Sequence, residues 1–325
     1  MRLVALAVFL SLSLTLAPLA ETQQAGKTYR VGVVHLGGPY GAMVDGGLRT
    51  GLKEHGFEEG KQYVLHIRDV KGDPKALEAA AKALEQEKVD VIYSLSTSIT
   101  LTVKRATASV PIVFYAGTDP VVVGLVASYA KPGGRLTGIH SLTTEMDAKR
   151  LQILKEMLPR LRRVAVFYDP NNRAAQESAK SIRQAAQQLR VELVERHVRS
   201  VEELREGLQA LKPGEVDAIG HVADAMVTSQ NRMVLDAARA KKLPAMSFER
   251  SFVADGGLLS YGVSFLAVGQ QSAKYVHRVL SGTKPADLPV EQADRFDLVI
   301  NLKTAKALGL TIPPSVLGRA DQVIE

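Results

Sequence analysis

Three consecutive hydroxyl side chains, Ser96-Thr97-Ser98, stand where a buried strand is predicted to end and a helix to begin. The strand is predicted over residues 89–95 and the helix over residues 97–107. The free N–H groups at a helix N-terminus carry a partial positive charge, which suits a carboxylate. One of the hydroxyls could instead only cap the helix. We predict that this segment contacts the carboxylate of a small ligand.

If that ligand also carries an ammonium group, the protein must offer it a carboxylate or other acceptor oxygens. Asp224 is the first candidate for this role and Glu249 the second, because each follows a predicted strand. Ligands of open parallel sheets bind beyond the carboxyl ends of the strands. Either residue could equally be a solvated acid in a loop.

Other candidates for ligand contact stand at similar strand ends. Gly37 and Gly38 follow the first strand, where glycine permits close approach of the backbone, although a plain tight turn is the alternative. Ser141 lies just after the predicted first crossing between two lobes and could serve either one. Three aromatic residues could pack against an apolar ligand side chain or simply belong to the core: Tyr168, Phe248 and Tyr261.

Motifs for catalysis are missing from the sequence. The seven histidines show no H-E-x-x-H spacing, and neither a G-x-S-x-G elbow nor a Walker-type phosphate loop occurs. The segment Gly37-Gly38-Pro39-Tyr40-Gly41 does not fit the dinucleotide pattern G-x-G-x-x-G. We therefore predict a binding protein with no catalytic residue, no metal and no cofactor. An exported α/β enzyme is the rival interpretation, and turnover of a bound compound would favour it.

Strand-like and helix-like segments alternate from Tyr29 to about residue 248, which is typical of parallel α/β sheets. The alternation forms two consecutive units of similar plan, and further elements follow the second unit. We infer that the chain crosses back between two lobes, whose hinged closure would enclose a ligand. The predicted N-terminal lobe comprises residues 27–139 plus about 262–285. The predicted C-terminal lobe comprises residues 140–261 plus about 286–325.

The first residues have the layout of a secretory signal peptide. Arg2 is followed by an apolar run over residues 3–16, and cleavage is predicted after Ala20. The apolar run is shorter than the roughly 20 residues that span a bilayer, so we expect no stable membrane insertion. The chain has no cysteine and thus no site for a lipid anchor on that residue. We predict a free periplasmic protein.

Charge and composition fit an ordinary globular protein. The formal net charge is +7, but basic residues are interspersed with acidic ones, so nucleic-acid binding is not expected. About 300 residues after the predicted cleavage site exceed the usual size of a single core, which indicates two domains.

Several spaced motifs are similar to those of one known family. They are Gly117-Thr118-Asp119-Pro120, Lys131-Pro132-Gly133-Gly134, Gly282-Thr283-Lys284-Pro285, Leu298-Val299-Ile300-Asn301 and Arg319-Ala320-Asp321-Gln322. Together they resemble the ABC transporter substrate-binding proteins that include the tryptophan-binding type, over nearly all of residues 29–325. The resemblance implies an α/β fold of two doubly wound parallel-sheet lobes, joined by crossover strands in the type I periplasmic-binding arrangement.

The same resemblance implies a ligand cleft between the lobes, with a membrane permease and its ATPase as partners. It also implies that the loop carrying Thr118 faces the cleft, whereas Asp119 could be a turn former before Pro120. We predict that the ligand is a small amino acid or a similar carboxylate-bearing solute. The alternatives are an aromatic acid or other small solute, and a ligand sensor that serves a signalling partner.

Overall fold

The computed structural model describes residues 27–325, and for residues 143–145 the backbone alone. Five strands alternate with helices up to residue 140. The strands are β1 (Tyr29–His35), β2 (Tyr63–Asp69), β3 (Val91–Leu95), β4 (Ile112–Ala116) and β5 (Leu136–His140). The helices are α1 (Tyr40–Ala42), α2 (Arg49–Glu54), α3 (Leu77–Gln86) and α4 (Thr97–Ala106), with a π-helical turn at Met43–Leu48 and a 3-10 turn at Pro74–Ala76.

A second alternating series follows. Its strands are β6 (Arg163–Tyr168), β7 (Glu192–His197), β8 (Ala218–Ile219), β9 (Met246–Ser247) and β10 (Leu259–Val263). Its helices are α5 (Thr143–Met157), α6 (Arg173–Leu189), α7 (Val201–Ala210), α8 (Ala225–Ser229), α9 (Asn231–Lys241) and α10 (Arg250–Ala254). The tail contains α11 (Phe265–Leu280), a 3-10 turn at Pro285–Asp287, β11 (Glu291–Gln292), β12 (Phe296–Asn301), α12 (Leu302–Ala307), α13 (Pro314–Leu317) and β13 (Gln322–Ile324).

The strands form two separate sheet systems. The first is a six-stranded sheet in the order β11-β5-β4-β3-β1-β2, and all its described pairings are parallel. The second comprises the three strands β7-β6-β8 and the four strands β13-β12-β10-β9, which meet at a bridge between Ile219 and Ala245. Within the second system, β10 and β12 are antiparallel. The mostly parallel sheets with flanking helices confirm the predicted α/β fold class.

The hydrophobic pattern explains why these segments became buried strands. Every residue of β3 and β4 is buried, as expected for strands whose two faces are both covered by helices. Helix α11 packs on the first sheet, and its Tyr275 and Val276 join the first core. The glycines at positions 47 and 269 allow α11 and the π-helical turn to approach at backbone distance, since a Cβ on Gly269 would lie 2.2 Å from the Met43 carbonyl oxygen.

The sheet memberships bear on where the chain crosses between the two systems. β10 pairs in the second sheet system, whereas Glu291 and Gln292 pair with β5 in the first. The stretch of chain between these pairings does not coincide with the predicted segment 262–285. The chain leaves the second system only after β10 ends at Val263, and it still pairs in the first system at Gln292. The division into lobes stays a prediction, and we now propose its crossings at residues 141–142, 264 and 293–295.

The predictions of export and of no membrane insertion rest on different parts of the chain. The predicted signal peptide, residues 1–20, lies outside the described residues. Within residues 27–325, no helix combines the length and the apolar character that a bilayer crossing requires.

Candidate functional site

The turn from β3 into α4 has an unusual backbone at Ser96. Its φ angle of 130° lies in a region that residues with a side chain rarely adopt. The Ser96 hydroxyl accepts the N–H of Ile99 at 3.4 Å and lies 3.4 Å from the Ser98 hydroxyl. Ser96 therefore does cap α4, and it holds the backbone in a strained turn of a kind that clusters at functional sites.

The hydroxyls of Thr97 and Thr118 link the first turn of α4 to the loop after β4. The Thr118 N–H and hydroxyl both donate to Thr97 Oγ1, at 3.2 Å and 2.9 Å. Both side chains are almost fully buried. Because Thr97 Oγ1 accepts twice from Thr118, its own proton is free to be donated to another acceptor.

On the opposite wall, Asp224 caps α8 and is hydrogen-bonded at both oxygens. Oδ1 accepts the N–H groups of Met226 and Val227, and Oδ2 accepts the N–H of Asp169 at 3.1 Å and the Asn172 amide at 3.0 Å. The side chain is buried, and burial raises the pKa of its carboxyl despite these hydrogen bonds. The site thus contains an acid whose charged form lacks the solvation that water would provide.

Two cavities adjoin between the sheet systems, and we call them the inner and the outer chamber. Ser98 and Asp224 line both, so the two chambers meet at this pair. The inner chamber measures about 30 Å³ and is lined by Tyr40, Ser96, Thr97, Ser98, Tyr115, Gly117, Thr118, Ala174, Ala223, Asp224, Ala225, Thr228 and Phe248. The outer chamber measures about 270 Å³ and is lined by Leu36, Pro74, Leu77, Ser98, Leu101, Thr102, Arg105, Asp169, Asn171, Asn172, Arg173, Asp224 and Met226.

An aromatic cluster lies beside the inner chamber. Phe265, one residue after the proposed crossing at Ser264, stacks on Tyr40 with ring centroids 5.3 Å apart. It also meets Tyr115 and Phe248 edge to face, at 5.8 Å and 5.4 Å. Rings from both sheet systems therefore converge on one residue next to a proposed crossing. Burial raises the pKa of the Tyr40 hydroxyl, so that hydroxyl remains a neutral donor.

The structure brings six of the predicted contact residues together in the inner chamber: Ser96, Thr97, Ser98, Thr118, Asp224 and Phe248. Glu249 and Asp119 lie outside both chambers. Glu249 caps α10 by accepting the Phe252 N–H at 3.2 Å, and it also binds the Ser251 hydroxyl. Asp119 accepts the N–H groups of Val121 and Val122, as the turn alternative predicts.

Three further predicted residues also lie outside the chambers. The Tyr168 hydroxyl bonds with Glu195 and His197 of the neighbouring strand β7 and with Arg183 of α6. Ser141 bonds with the Tyr115 hydroxyl at 2.8 Å. Tyr261 accepts from Arg150 Nε at its carbonyl oxygen, at 2.6 Å. In the chain, Ser141 and Tyr261 stand at or close to the proposed crossings at residues 141–142 and 264.

Gly37 and Gly38 contact other elements directly, and the chamber walls do not include them. Both have left-handed φ angles, 81° and 60°. A Cβ on Gly37 would lie 3.0 Å from the Asp69 carboxylate. A Cβ on Gly38 would lie 2.5 Å from the carbonyl oxygen of Ser229, which belongs to α8 in the second sheet system.

Beneath Phe248 lies a buried polar network that the sequence did not reveal. Arg150 and Asp147, both fully buried, form an ion pair at 2.6 Å. Asp147 also accepts from Ser178, whose hydroxyl oxygen accepts the Ala223 N–H at 2.8 Å. The Arg150 guanidinium stands 5.7 Å from the centre of the Phe248 ring. The network connects Tyr261, near a proposed crossing, with Ala223, which precedes Asp224.

Other chamber residues were missed because they stand on helices rather than at strand ends. Tyr40 comes from α1, Arg105 from the last turn of α4 and Arg173 from the first turn of α6. Arg173 donates to the Val122 carbonyl oxygen at 2.8 Å and so joins the second sheet system to the first. In the sequence, Pro39 immediately before Tyr40 is a local signal for a helix start there.

No group of three or more His, Cys, Asp or Glu side chains within residues 27–325 is placed to hold a metal ion. The inner chamber offers hydroxyl and N–H donors on one wall and a buried carboxylate on the other. Such a site can orient a small polar solute by its two ends.

Comparison with known proteins places the chain in a family. Residues 32–324 match the family described as ABC transporter substrate binding protein, and the chain belongs to it. Members of this family are solute-binding proteins and not enzymes, which confirms the prediction of a binding protein. The prediction of the family from the sequence motifs is likewise confirmed.

Three relatives illustrate the similarity. A tyrosine-binding protein of Clostridioides difficile (strain R20291) is 27% identical over 264 residues, which cover 81% of this chain and 76% of the relative. The crystal structure of a conserved domain protein from Vibrio cholerae is 32% identical, with a TM-score of 0.84 over 91% of this chain and 100% of that one. A Streptococcus ABC domain in complex with L-Trp is 26% identical, with a TM-score of 0.82 over 92% of this chain and 100% of that one.

Proposed function

We propose that this protein is the exported solute-binding component of an ABC importer, and that it binds an amino acid or a similar carboxylate-bearing solute. The observation that carries the proposal is the pair of Ser98 and Asp224. They line the same two chambers from opposite sheet systems, and one offers donors whereas the other is an acid. An amino acid carries the two complementary charges.

The ligand carboxylate is assigned to the first turn of α4. This helix has ten residues, and its first N–H groups are directed toward the turn that holds Ser96 and Ser98. The Ser98 hydroxyl and the proton on Thr97 Oγ1 are further donors. Hydrogen bonds to a charged acceptor are stronger than neutral ones, and the helix dipole favours the negative charge.

The ligand ammonium is assigned to Asp224. Its four hydrogen bonds occupy the usual acceptor positions of a carboxylate, so an ammonium at Oδ2 would replace the Asn172 amide. The exchange is favourable because a cation lowers the free energy of the buried negative charge, which is otherwise poorly solvated. The relatives that bind tyrosine or L-Trp, by their names, support an amino acid as the ligand class.

Closure of the cleft is proposed as the step that the transporter recognises. Gly38 against Ser229 and Arg173 against Val122 are contacts between the two sheet systems, and both depend on the lobes being together. A ligand that touches both walls binds the closed form more tightly and shifts the population toward it. A membrane permease and its ATPase are the proposed partners, and the predicted signal peptide supports a periplasmic location.

A thermal-shift screen tests the proposal. Purified protein without its first 20 residues is heated with each of the proteinogenic amino acids, and with sugars and nucleosides as controls. Ligand that binds the folded state alone raises the melting temperature as its concentration exceeds Kd. We expect a rise with at least one amino acid. A rise with sugars or nucleosides and with no amino acid would overturn the proposed ligand class.

A further inference from the structure

The two chambers differ in size on either side of Ser98 and Asp224. The inner chamber, at about 30 Å³, has room for little more than a small group, whereas the outer one measures about 270 Å³. On the proposed function, on which this inference rests, the charged ends of the amino acid stand at this pair. The side chain of the ligand must then extend into the outer chamber.

Apolar side chains and two exposed arginines line the outer chamber. Leu36, Leu77 and Leu101 line it from the first sheet system, and Met226 from the second. Arg105 and Arg173 stand on its rim from opposite sides of the cleft, on α4 and α6. On this assignment, an aliphatic stem packs against the apolar side chains, and its far end lies toward the two guanidinium groups.

Neither guanidinium is neutralised by a described residue. No described carboxylate lies within the 4.0 Å that defines an ion pair with Arg105 or Arg173. Their hydrogen bonds are to neutral oxygens, Thr102 Oγ1 for Arg105 and the Val122 carbonyl for Arg173. Glu78 is within electrostatic reach of Arg105, but it is already paired with Lys82 at 2.6 Å.

The remaining acids of the chamber do not cancel this positive charge. Asp224 is assigned to the ligand ammonium, and Asp169 accepts the N–H of Asn171 at 2.8 Å. Two cations and one carboxylate are then left on the rim. Arginine forms bidentate bonds with carboxylates, which makes an anionic group the best match.

We infer that the preferred ligand is an amino acid whose side chain has an apolar stem and a terminal carboxylate or other anionic group, held by Arg105 and Arg173. The preference follows from charge, so it must disappear when the guanidinium groups are replaced. Affinity for a neutral side chain of the same length should change much less when the guanidinium groups are replaced.

Calorimetric titration with three L-amino acids of similar length tests the inference: 2-aminoadipate, norleucine and lysine. We expect 2-aminoadipate to bind about tenfold more tightly than norleucine, and lysine to bind most weakly. In the double variant R105Q/R173Q the ratio between 2-aminoadipate and norleucine should fall to near one. The ratio, rather than either affinity, is the readout, because Arg173 also contacts Val122 across the cleft.

A matched control is R232Q, since Arg232 is strongly exposed on α9, away from both chambers. It should keep the wild-type ratio. Equal binding of 2-aminoadipate and norleucine to the wild type, or a ratio unchanged in the double variant, would overturn the inference and leave the proposed function standing. If no amino acid binds in the thermal-shift screen, the proposed function fails and this inference fails with it.

Discussion

Gly38 of the first sheet system and Ser229 of the second are in backbone contact. A methyl group on Gly38 would lie 2.5 Å from the Ser229 carbonyl oxygen and 2.7 Å from its Cα. Real Cβ atoms do not approach so closely, and the obstacle is backbone, which cannot rotate away. The closed cleft therefore has no room for a side chain at position 38.

The variant G38A should weaken ligand binding by about tenfold or more while leaving the fold intact, because it keeps the lobes from closing fully. G60A is the matched control. Gly60 also has a left-handed φ, 84°, but a Cβ there would meet nothing within 4 Å. Both variants should lose about 1 kcal/mol of stability from the strained backbone. Calorimetric titration separates them, and equal affinities would argue against closure through this contact.

Ser98 and Ser96 should respond differently to replacement by alanine. Ser98 lines both chambers, so S98A should weaken ligand binding by about tenfold or more, because a hydrogen bond to a charged carboxylate contributes about 1.5–3 kcal/mol. Ser96 caps α4, so S96A, unlike S98A, should lower the free energy of unfolding by about 1 kcal/mol. Affinity and denaturant unfolding are measured on both variants. Unchanged affinity in S98A would remove Ser98 from the site.

Asp224 should make ligand binding depend on pH. Burial raises the pKa of its carboxyl above the ordinary value of 3.8 in the unliganded protein. An ammonium at the site would lower that pKa, so binding near the raised value should release a proton. Calorimetry in buffers of different ionisation enthalpy measures the release. D224N should abolish it and weaken binding by roughly tenfold to a hundredfold.

The same carboxyl has a predictable effect on the stability of the unliganded protein. Because its folded pKa lies above the unfolded one, the folded state binds more protons in the interval between them. The contribution of Asp224 to stability should fall as pH rises from about 4 through the raised pKa, and it should be recovered on acidification. Denaturant unfolding at several pH values tests this sign. A contribution that rises with pH would show that the carboxylate is stabilised in the fold.

The buried pair of Arg150 and Asp147 should be costly to break. R150M leaves the Asp147 carboxylate buried without its cation, which should cost about 3–5 kcal/mol of stability. The double variant R150M/D147L removes both charges and should recover much of that loss. His221, 3.5 Å from Asp147, gives little compensation because burial lowers its pKa and favours the neutral ring. A double variant no more stable than R150M would contradict this explanation.

The fold could be predicted because its strands are nearly continuous apolar runs that alternate with helical spacing, as in β3 and β4. Ser96, Thr118 and Asp224 could be predicted as site residues because each follows a strand, and the carboxyl ends of parallel strands lie at the same edge of a sheet. The proposed crossings differ from the predicted segment bounds, since nothing local in the sequence shows that β10 pairs with β12 across 32 intervening residues.

The rest of the site depends on contacts that the sequence does not display. Tyr40, Arg105 and Arg173 reach the chambers from helices, whose orientation follows from packing. Tyr168 and Glu249 stand at strand ends as predicted, yet their polar groups have other partners. Strand position alone therefore does not separate residues that face a cleft from residues that stabilise a neighbouring element.

The central claim is that a solute is held between the two sheet systems by its carboxylate and its ammonium group. The most direct measurement is calorimetric titration with the amino acid that binds most tightly in the screen, alongside its N-acetyl and its carboxamide derivatives. The free amino acid should bind, and blocking either end should weaken binding at least a hundredfold, because a buried charged group loses its partner. Undiminished binding of either blocked derivative would contradict the account.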